Sequence, residues 1–295
     1  MRYRSQGPWR PPADSAFDTQ APAGYTPPAY MFAGEEIPPQ VAKDWLRQHG
    51  VYDENMPLAQ TLRRYTILQA IDGLPVRREG ECFRQLLEFE SSYVITTKEF
   101  GLLRGEEHEF HVRLASDLPI ISKPIRYDPP ARQWIRDYIK LLIKTDLVEE
   151  AETEFQAPVV LVTGQKSMQE YCFCISYVKL NQHLLGDILP APNVRAVLDE
   201  LHWGRYYSVI DVRAGFHNVL VHWDLRKFLG FVMEDGVYVW KRMPMGISTA
   251  PGHFQRCMVR VLKDQYGRIV AVYIDDLIIF GDTWEECWHH TVTVL

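Results

Sequence analysis

Two periods of apolar positions divide the chain. From Val41 to Tyr93 the spacing is three or four residues (Val41, Trp45, Leu46; Leu58, Leu62, Tyr65; Phe83, Leu86, Leu87), which predicts short helices. Between Glu109 and Leu118 it shortens to two (Phe110, Val112, Leu114), which predicts a strand. Asp128-Pro129-Pro130 then supplies an N-cap with proline in the first turn, and Trp134, Ile135, Tyr138, Leu141 and Leu142 mark an amphipathic helix ending near Lys144. Pro158 to Val162 reads as a buried strand and Tyr171 to Tyr177 as its partner, joined by a turn containing Gly164 and Lys166. Asn193 to Leu201 is helical, Tyr206 to Val212 is a strand with a charge near its end, and Phe231 to Met243 contains a hairpin across Glu234-Asp235-Gly236. His253 to Leu262 forms a helix with Phe254, Met258 and Val261 on its apolar face. Ile269 to Ile274 and Leu277 to Phe280 make a second hairpin about Asp275-Asp276. Helices and strands interleave without a regular βαβ count, so the expected class is α+β with an antiparallel sheet.

Composition adds a size and an environment. With 295 residues, 46% of them hydrophobic, the chain can bury a sizeable core. Residues 1–40 are different: Pro11-Pro12, Pro27-Pro28 and Pro38-Pro39 fall in a stretch without apolar period, which predicts a disordered leader. No apolar run reaches the roughly 18 residues a membrane span requires, and the N-terminus lacks the apolar centre of a secretory signal. An intracellular protein with no membrane partner is the expectation. Five cysteines then read as free thiols, and Cys172 and Cys174, a C-x-C with no second pair or histidine beside it, as two small residues on one strand face. Adjacent His289 and His290 point to different sides of a solvated helix. The net charge of −6 runs against a nucleic-acid-binding surface, which is normally basic. A carboxylate cluster whose charge bound cations cancel would account for part of it.

Such a cluster is present. Asp275 and Asp276 interrupt a strongly β-forming, apolar hairpin. As a plain turn they would point into water, since aspartate tolerates the left-handed backbone of tight hairpins. Two adjacent like charges at the mouth of an apolar sheet also raise each other's pKa unless a cation compensates. Side chains alternate along a strand, so a further carboxylate is needed from elsewhere. Asp211, at the end of the Tyr207-Ser208-Val209-Ile210 run, is the best donor. Carboxylates brought together from strand ends can hold two Mg²⁺ ions about 4 Å apart for phosphoryl transfer, and Mg²⁺ accepts so few protein ligands because it retains waters and substrate phosphates.

Several ordered blocks resemble the reverse transcriptase of retroviruses and, more closely, of gypsy-type long-terminal-repeat retrotransposons. They are Ala157 to Val162; Tyr177-Val178-Lys179-Leu180-Asn181; Tyr207 to His217; Met243-Pro244-Met245-Gly246 with Ala250-Pro251 and Phe254-Gln255-Arg256; and Tyr273-Ile274-Asp275-Asp276. Any one is weak, and five in the correct order are specific. The resemblance runs from about Phe83 to the C-terminus. It implies the fingers and palm of a right-hand polymerase over residues 121–295, with residues 41–120 as short helices and a strand of unassigned role. It also implies an RNA-directed DNA polymerase that uses Mg²⁺, or Mn²⁺, to extend a primer on an RNA or DNA template with dNTPs. Asp211, Asp275 and Asp276 take the catalytic and metal-binding roles, with Val212 beside Asp211 in the metal site. Phe216 falls at the aromatic gate beneath the sugar, Met245 and Gly246 at the turn against nucleotide and template, and Lys166 at the tip of the fingers hairpin.

Departures accompany the match. Tyr171-Cys172 occupies the place of the family's Trp-Arg pair, whose guanidinium grips the triphosphate with bidentate hydrogen bonds, and a thiol cannot replace that charge. The loop from Thr163 to Glu170 is longer than usual, and Ser176 and Val178 stand for Asp and Arg. The chain stops at Leu295, soon after the hairpin, so the thumb, connection and ribonuclease H regions are expected outside it, in a larger polyprotein that would also hold an integrase. The competing expectations are a degenerate retroelement remnant that keeps the fold without useful catalysis, and a related two-metal enzyme such as an RNA-directed RNA polymerase or a nuclease.

Overall fold

The computed structural model describes residues 39–48, 51–71, 76–93, 100–116, 118–163, 171–185, 194–201 and 204–295. Lys166 and residues 1–38 of the expected leader lie outside them, and the leader's last two residues, Pro39 and Gln40, open a helix instead. The chain divides into two compact units between Phe83 and Arg84.

In the first unit, α1 (Pro39–Gln48) buries Ala42 and Leu46, and α2 (Leu58–Ala70) buries Leu62, Tyr65 and Leu68 at helical spacing. The Trp45 and Tyr65 rings meet edge to face at 6.2 Å, so the two helices share an apolar seam. Helix α3 (Val76–Leu87) crosses the unit boundary.

The second unit holds two sheets. Helix α4 (Pro129–Lys144) begins as its sequence dictates: the Asp128 side chain accepts from the Ala131 N–H at 3.1 Å and proline opens the first turn. Strands β1 (Val148–Glu150), β2 (Ala157–Thr163) and β3 (Tyr171–Ile175) follow, then α5 (Val178–His183), α6 (Val194–Leu201) and β4 (Tyr206–Asp211). Strands β5 (Gly230–Met233) and β6 (Gly236–Trp240), helix α7 (Ala250–Val261), strands β7 (Val270–Tyr273) and β8 (Asp276–Gly281), and helix α8 (Trp284–Val294) complete the chain. One sheet has the order β1-β6-β5-β2-β3, antiparallel except for the β2–β5 pair. The other, β4-β8-β7, is antiparallel throughout. The α+β class therefore holds.

Helix α4 covers the first sheet through Trp134 and Tyr138, which lie against Tyr171 and Phe173 with centroids 5.6 and 5.0 Å apart. The helix is also tied to the tip of the β5–β6 hairpin by Arg132–Glu234 and Arg136–Asp235 ion pairs. The inner face of the second sheet sinks Val270, Val272, Leu277 and Ile279 into a core shared with Phe254 and Met258 of α7.

One expected strand does not form. Phe110 and Val112 are buried, as the alternation predicts. Phe110 bonds to Leu220 and His222, however, and Arg113 and Ala115 to Leu185 and His183. Two different partners give isolated bridges where a ladder was expected. Periodicity reads burial and is blind to pairing.

Candidate metal centre

Register decides where the carboxylates point. On β4 and β8, Asp211 pairs directly with Asp276, Val209 with Ile278 and Tyr207 with Phe280. Directly paired residues share a face. The alternate set, Ile210 with Leu277 and Ser208 with Ile279, faces inward. Asp211 and Asp276 consequently stand side by side on the outer face, beyond the end that α6 covers through Val197, Ala271 and Phe280. Val209, their neighbour on that face, is 63% exposed.

The hairpin turns one residue earlier than its acids suggest. Tyr273 pairs with Asp276, so Ile274 and Asp275 form the two-residue loop, and Ile274 adopts a φ of 57°. The left-handed backbone expected of an aspartate thus falls on a β-branched residue, for which it is strained. Asp275 is fixed by its backbone: its carbonyl accepts from the Val212 N–H at 2.8 Å, which ties the turn to the end of β4.

The electrostatics are those of a site short of positive charge. Burial, then the neighbouring Asp275 and Asp276, push the Asp211 carboxyl above its ordinary range, with Arg213 opposing. Burial and Asp275 do the same to Asp276. Among the described residues no three His, Cys, Asp or Glu side chains are gathered tightly enough to hold an ion unaided. What the strands present is the Asp211–Asp276 pair with Asp275 at the adjoining turn, and the Val212 carbonyl, which already accepts from the Gly215 N–H at 3.1 Å. An all-oxygen donor set that repels itself fits a hard divalent cation.

Phe216 occupies a short 3-10 turn, Gly215–Asn218, entered through Ala214 at a φ of 48°. Its ring meets Phe254 at 5.5 Å and is half-buried. Gly215 is required: a Cβ there would lie 2.6 Å from Phe254 Cζ. His217 stacks on Trp240 at 5.1 Å and contacts the Met243 carbonyl through Nδ1 at 3.1 Å, so this nitrogen carries the proton; burial lowers the imidazole's pKa. Met245 is 61% exposed, and Gly246 takes a φ of 88°.

Three positioning side chains carry no chemistry that would mark them in sequence. His217 connects the Phe216 turn to the Met243 segment. Asn181 clamps the Met245-Gly246 turn, donating to the Gly246 carbonyl and accepting from the Ser248 N–H, both at 2.9 Å. Gln255 donates to the Val272 carbonyl at 2.9 Å and accepts from the Ile274 N–H at 2.7 Å. All three lie inside the quoted sequence blocks, the one signal in sequence that singles them out. His290, half-buried, contacts the Phe280 carbonyl at 2.7 Å, so the helix that was expected to be solvated is anchored on one side.

Fold and site together define an α+β molecule whose small antiparallel sheet presents paired carboxylates at its strand ends. Residues 140–295, more than half of the chain, match the family described as reverse transcriptase (RNA-dependent DNA polymerase), and the chain belongs to that family. The retrovirus-related Pol polyprotein from transposon 412 of Drosophila melanogaster is 30% identical over 58% of this chain and 14% of its own length. The enzymatic polyprotein of figwort mosaic virus is 28% identical over 62% of this chain and 28% of its own length. The chain therefore spans under a third of either relative. Among solved structures, the foamy viral protease-reverse transcriptase in complex with RNA/DNA hybrid superposes with a TM-score of 0.69 at 18% identity, over 79% of this chain and 30% of that one. At that identity the correspondence is one of fold. Among the described residues no helix is long and apolar enough to cross a membrane.

Proposed function

We propose that this chain carries the catalytic centre of an RNA-directed DNA polymerase, with Asp211, Asp275 and Asp276 as cation-holding carboxylates and the Val212 carbonyl as a further oxygen donor. The observation that carries the reading is the direct pairing of Asp211 with Asp276 on an exposed sheet face. Bound Mg²⁺ ions, or Mn²⁺, would supply charge stabilisation for the attacking 3′-hydroxyl and the leaving pyrophosphate. The protein's own part is positional. Paired strand ends fix the spacing of Asp211 and Asp276, and the Val212 N–H holds the turn that bears Asp275. Phe216, backed by Phe254, presents a rigid ring where a ribose 2′-hydroxyl would have to fit, which selects dNTPs. Family membership and the nucleic-acid complex of the foamy viral protein support a template-primer as partner, and the length of the relatives supports a parent polyprotein. Extension of a primer on an RNA template should be lost in an Asp275→Asn, Asp276→Asn variant, and Phe216→Ala should admit ribonucleotides. Equal activity in the wild type and the Asp275→Asn, Asp276→Asn variant would sink the polymerase reading.

A second reading, a remnant with weakened catalysis, is favoured by one observation. Cys172, exposed on β3, stands where the resemblance calls for a guanidinium, and β3 carries no cationic side chain at all. A normal turnover number with a high nucleotide KM separates an eroded nucleotide grip from a dead centre.

A further inference from the structure

The β7–β8 turn contains a strain that its own residues do not relieve. Ile274 holds a φ of 57°, where the Cβ of an L-residue crowds the following carbonyl and where a β-branched side chain is a genuine outlier. Asparagine, aspartate or glycine is the usual occupant of such a hairpin position. A strained residue persists where its surroundings over-determine it. Here the surroundings converge on one buried amide. Gln255 is 9% exposed and reaches from α7 with both ends of its side chain engaged. Its Nε2 donates to the Val272 carbonyl at 2.9 Å and its Oε1 accepts from the Ile274 N–H at 2.7 Å. It therefore grips the hairpin just before Asp275, while the Val212 N–H grips the Asp275 carbonyl at 2.8 Å from the other side. None of these bonds uses a carboxylate oxygen of Asp211, Asp275 or Asp276, so all three acids stay available for a ligand.

We infer that Gln255 is a positioning residue: it holds the strained Ile274 turn in the conformation that sets Asp275 and Asp276 beside Asp211, without itself touching substrate or cation. The inference rests on the reading of those carboxylates as the cation centre. An amide donates and accepts at once whatever the pH, whereas a carboxyl of the same length does so only when protonated. Gln255→Glu loses the donor to Val272 once it ionises, and Gln255→Met keeps the length and helical preference while losing both bonds at any pH.

The test uses the full chain with Mn²⁺ alone as the probe, its free concentration read by electron paramagnetic resonance, and thermal melting followed in parallel. Asp275→Asn, Asp276→Asn defines binding at the site. Gln255→Met should weaken aspartate-dependent Mn²⁺ binding by roughly ten- to a hundredfold, the range for groups that orient metal ligands. Adding Ile274→Asn, which relaxes the turn because asparagine tolerates left-handed backbone, should recover most of that loss. A purely structural role would lower the melting temperature and leave Mn²⁺ affinity of the folded protein unchanged; that result overturns the inference, as does a failure of Ile274→Asn to restore binding. If Gln255→Met does not fold, Gln255→Glu is measured by the same criteria across a rising pH series, the loss of Mn²⁺ binding being expected as its carboxyl ionises and its absence at the alkaline end overturning the inference. Wild-type chain that binds Mn²⁺ through the aspartates yet extends no primer would defeat the polymerase reading and leave this one standing. Wild-type chain without aspartate-dependent binding would defeat both.

Discussion

At the start of β8, two hydrogen bonds meet on a two-residue turn, from the Ile274 N–H to Gln255 and from the Val212 N–H to the Asp275 carbonyl, and a third, from Gln255 to the Val272 carbonyl, braces the strand that leads into it. At the outer edge of the other sheet, β3 turns Tyr171 and Phe173 toward the aromatic rings of α4 and leaves Cys172 and Cys174 in thiol contact at 3.8 Å, Cys172 exposed. The first region is over-determined, since moving any carboxylate means breaking buried hydrogen bonds or core packing. The second is under-determined, since the outward side chains of an edge strand hold nothing else in place. A chain can lose a functional group from β3 with little consequence for its fold, whereas the carboxylate hairpin resists change because it is part of the core. Under the proposed function, an intact cation-holding half beside an altered nucleotide-gripping half is what that asymmetry would produce.

The sharpest break in the comparison is steric. Gly215→Ala would set a Cβ 2.6 Å from Cζ and 2.9 Å from Cε1 of Phe254, a ring only 1% exposed and unable to swing away. Overpacking of this kind costs about 1–3 kcal/mol. Chemical denaturation should show that loss, and a change below about 0.5 kcal/mol, the scale of ordinary surface substitutions, would mean the region is softer than its packing implies. The displaced Phe216 turn should also weaken sugar discrimination.

Much of this architecture is legible in sequence wherever a local rule acts alone. Asp128 before two prolines specifies the start of α4, because a cap depends only on neighbours in the chain, whereas the wet face of β4, which carries Tyr207 and Val209, is set by what packs on the sheet. The carboxylates were legible for a related reason: acids inside an apolar hairpin conflict with their surroundings. What escaped depends on partners far along the chain. Phe110 to Leu114 has a strand's burial and divides its hydrogen bonds between two segments. The turn falls on Ile274 and Asp275 because the β4–β8 register and Gln255 override the preference for aspartate at left-handed positions. Asn181 meets Gly246 and Ser248 across more than sixty residues, and no spacing rule reaches that far.

A smaller effect comes from charge. The Asp211 and Asp276 carboxyls both titrate above their ordinary range in the folded chain. An acid whose pKa is raised by folding binds more protons in the native than in the unfolded state, so stability falls as pH rises from the unfolded value, about 4, through the folded ones, and the deficit is complete above them. Asp211→Asn combined with Asp276→Asn should therefore raise the melting temperature at neutral pH and flatten its decline between acid and neutral pH. Millimolar Mg²⁺ should raise the melting temperature of the wild type and leave that variant unchanged. A wild type whose stability rises steadily with pH over this window would contradict the carboxylate repulsion.

The smallest expected change in stability belongs to the other side of the comparison. Cys172→Arg places a guanidinium on an exposed edge position, where substitutions usually stay within about 0.5 kcal/mol, so the melting curve should hardly move. Function should respond. A hydrogen bond to a charged group contributes about 1.5–3 kcal/mol, which corresponds to a fall in nucleotide KM of roughly tenfold or more with kcat little altered. Cys172→Ser is the matched control, removing the thiol without adding charge. If arginine and serine give the same KM in a chain that extends primers, β3 does not face the triphosphate, and the proposed division between an intact and an eroded half fails with it.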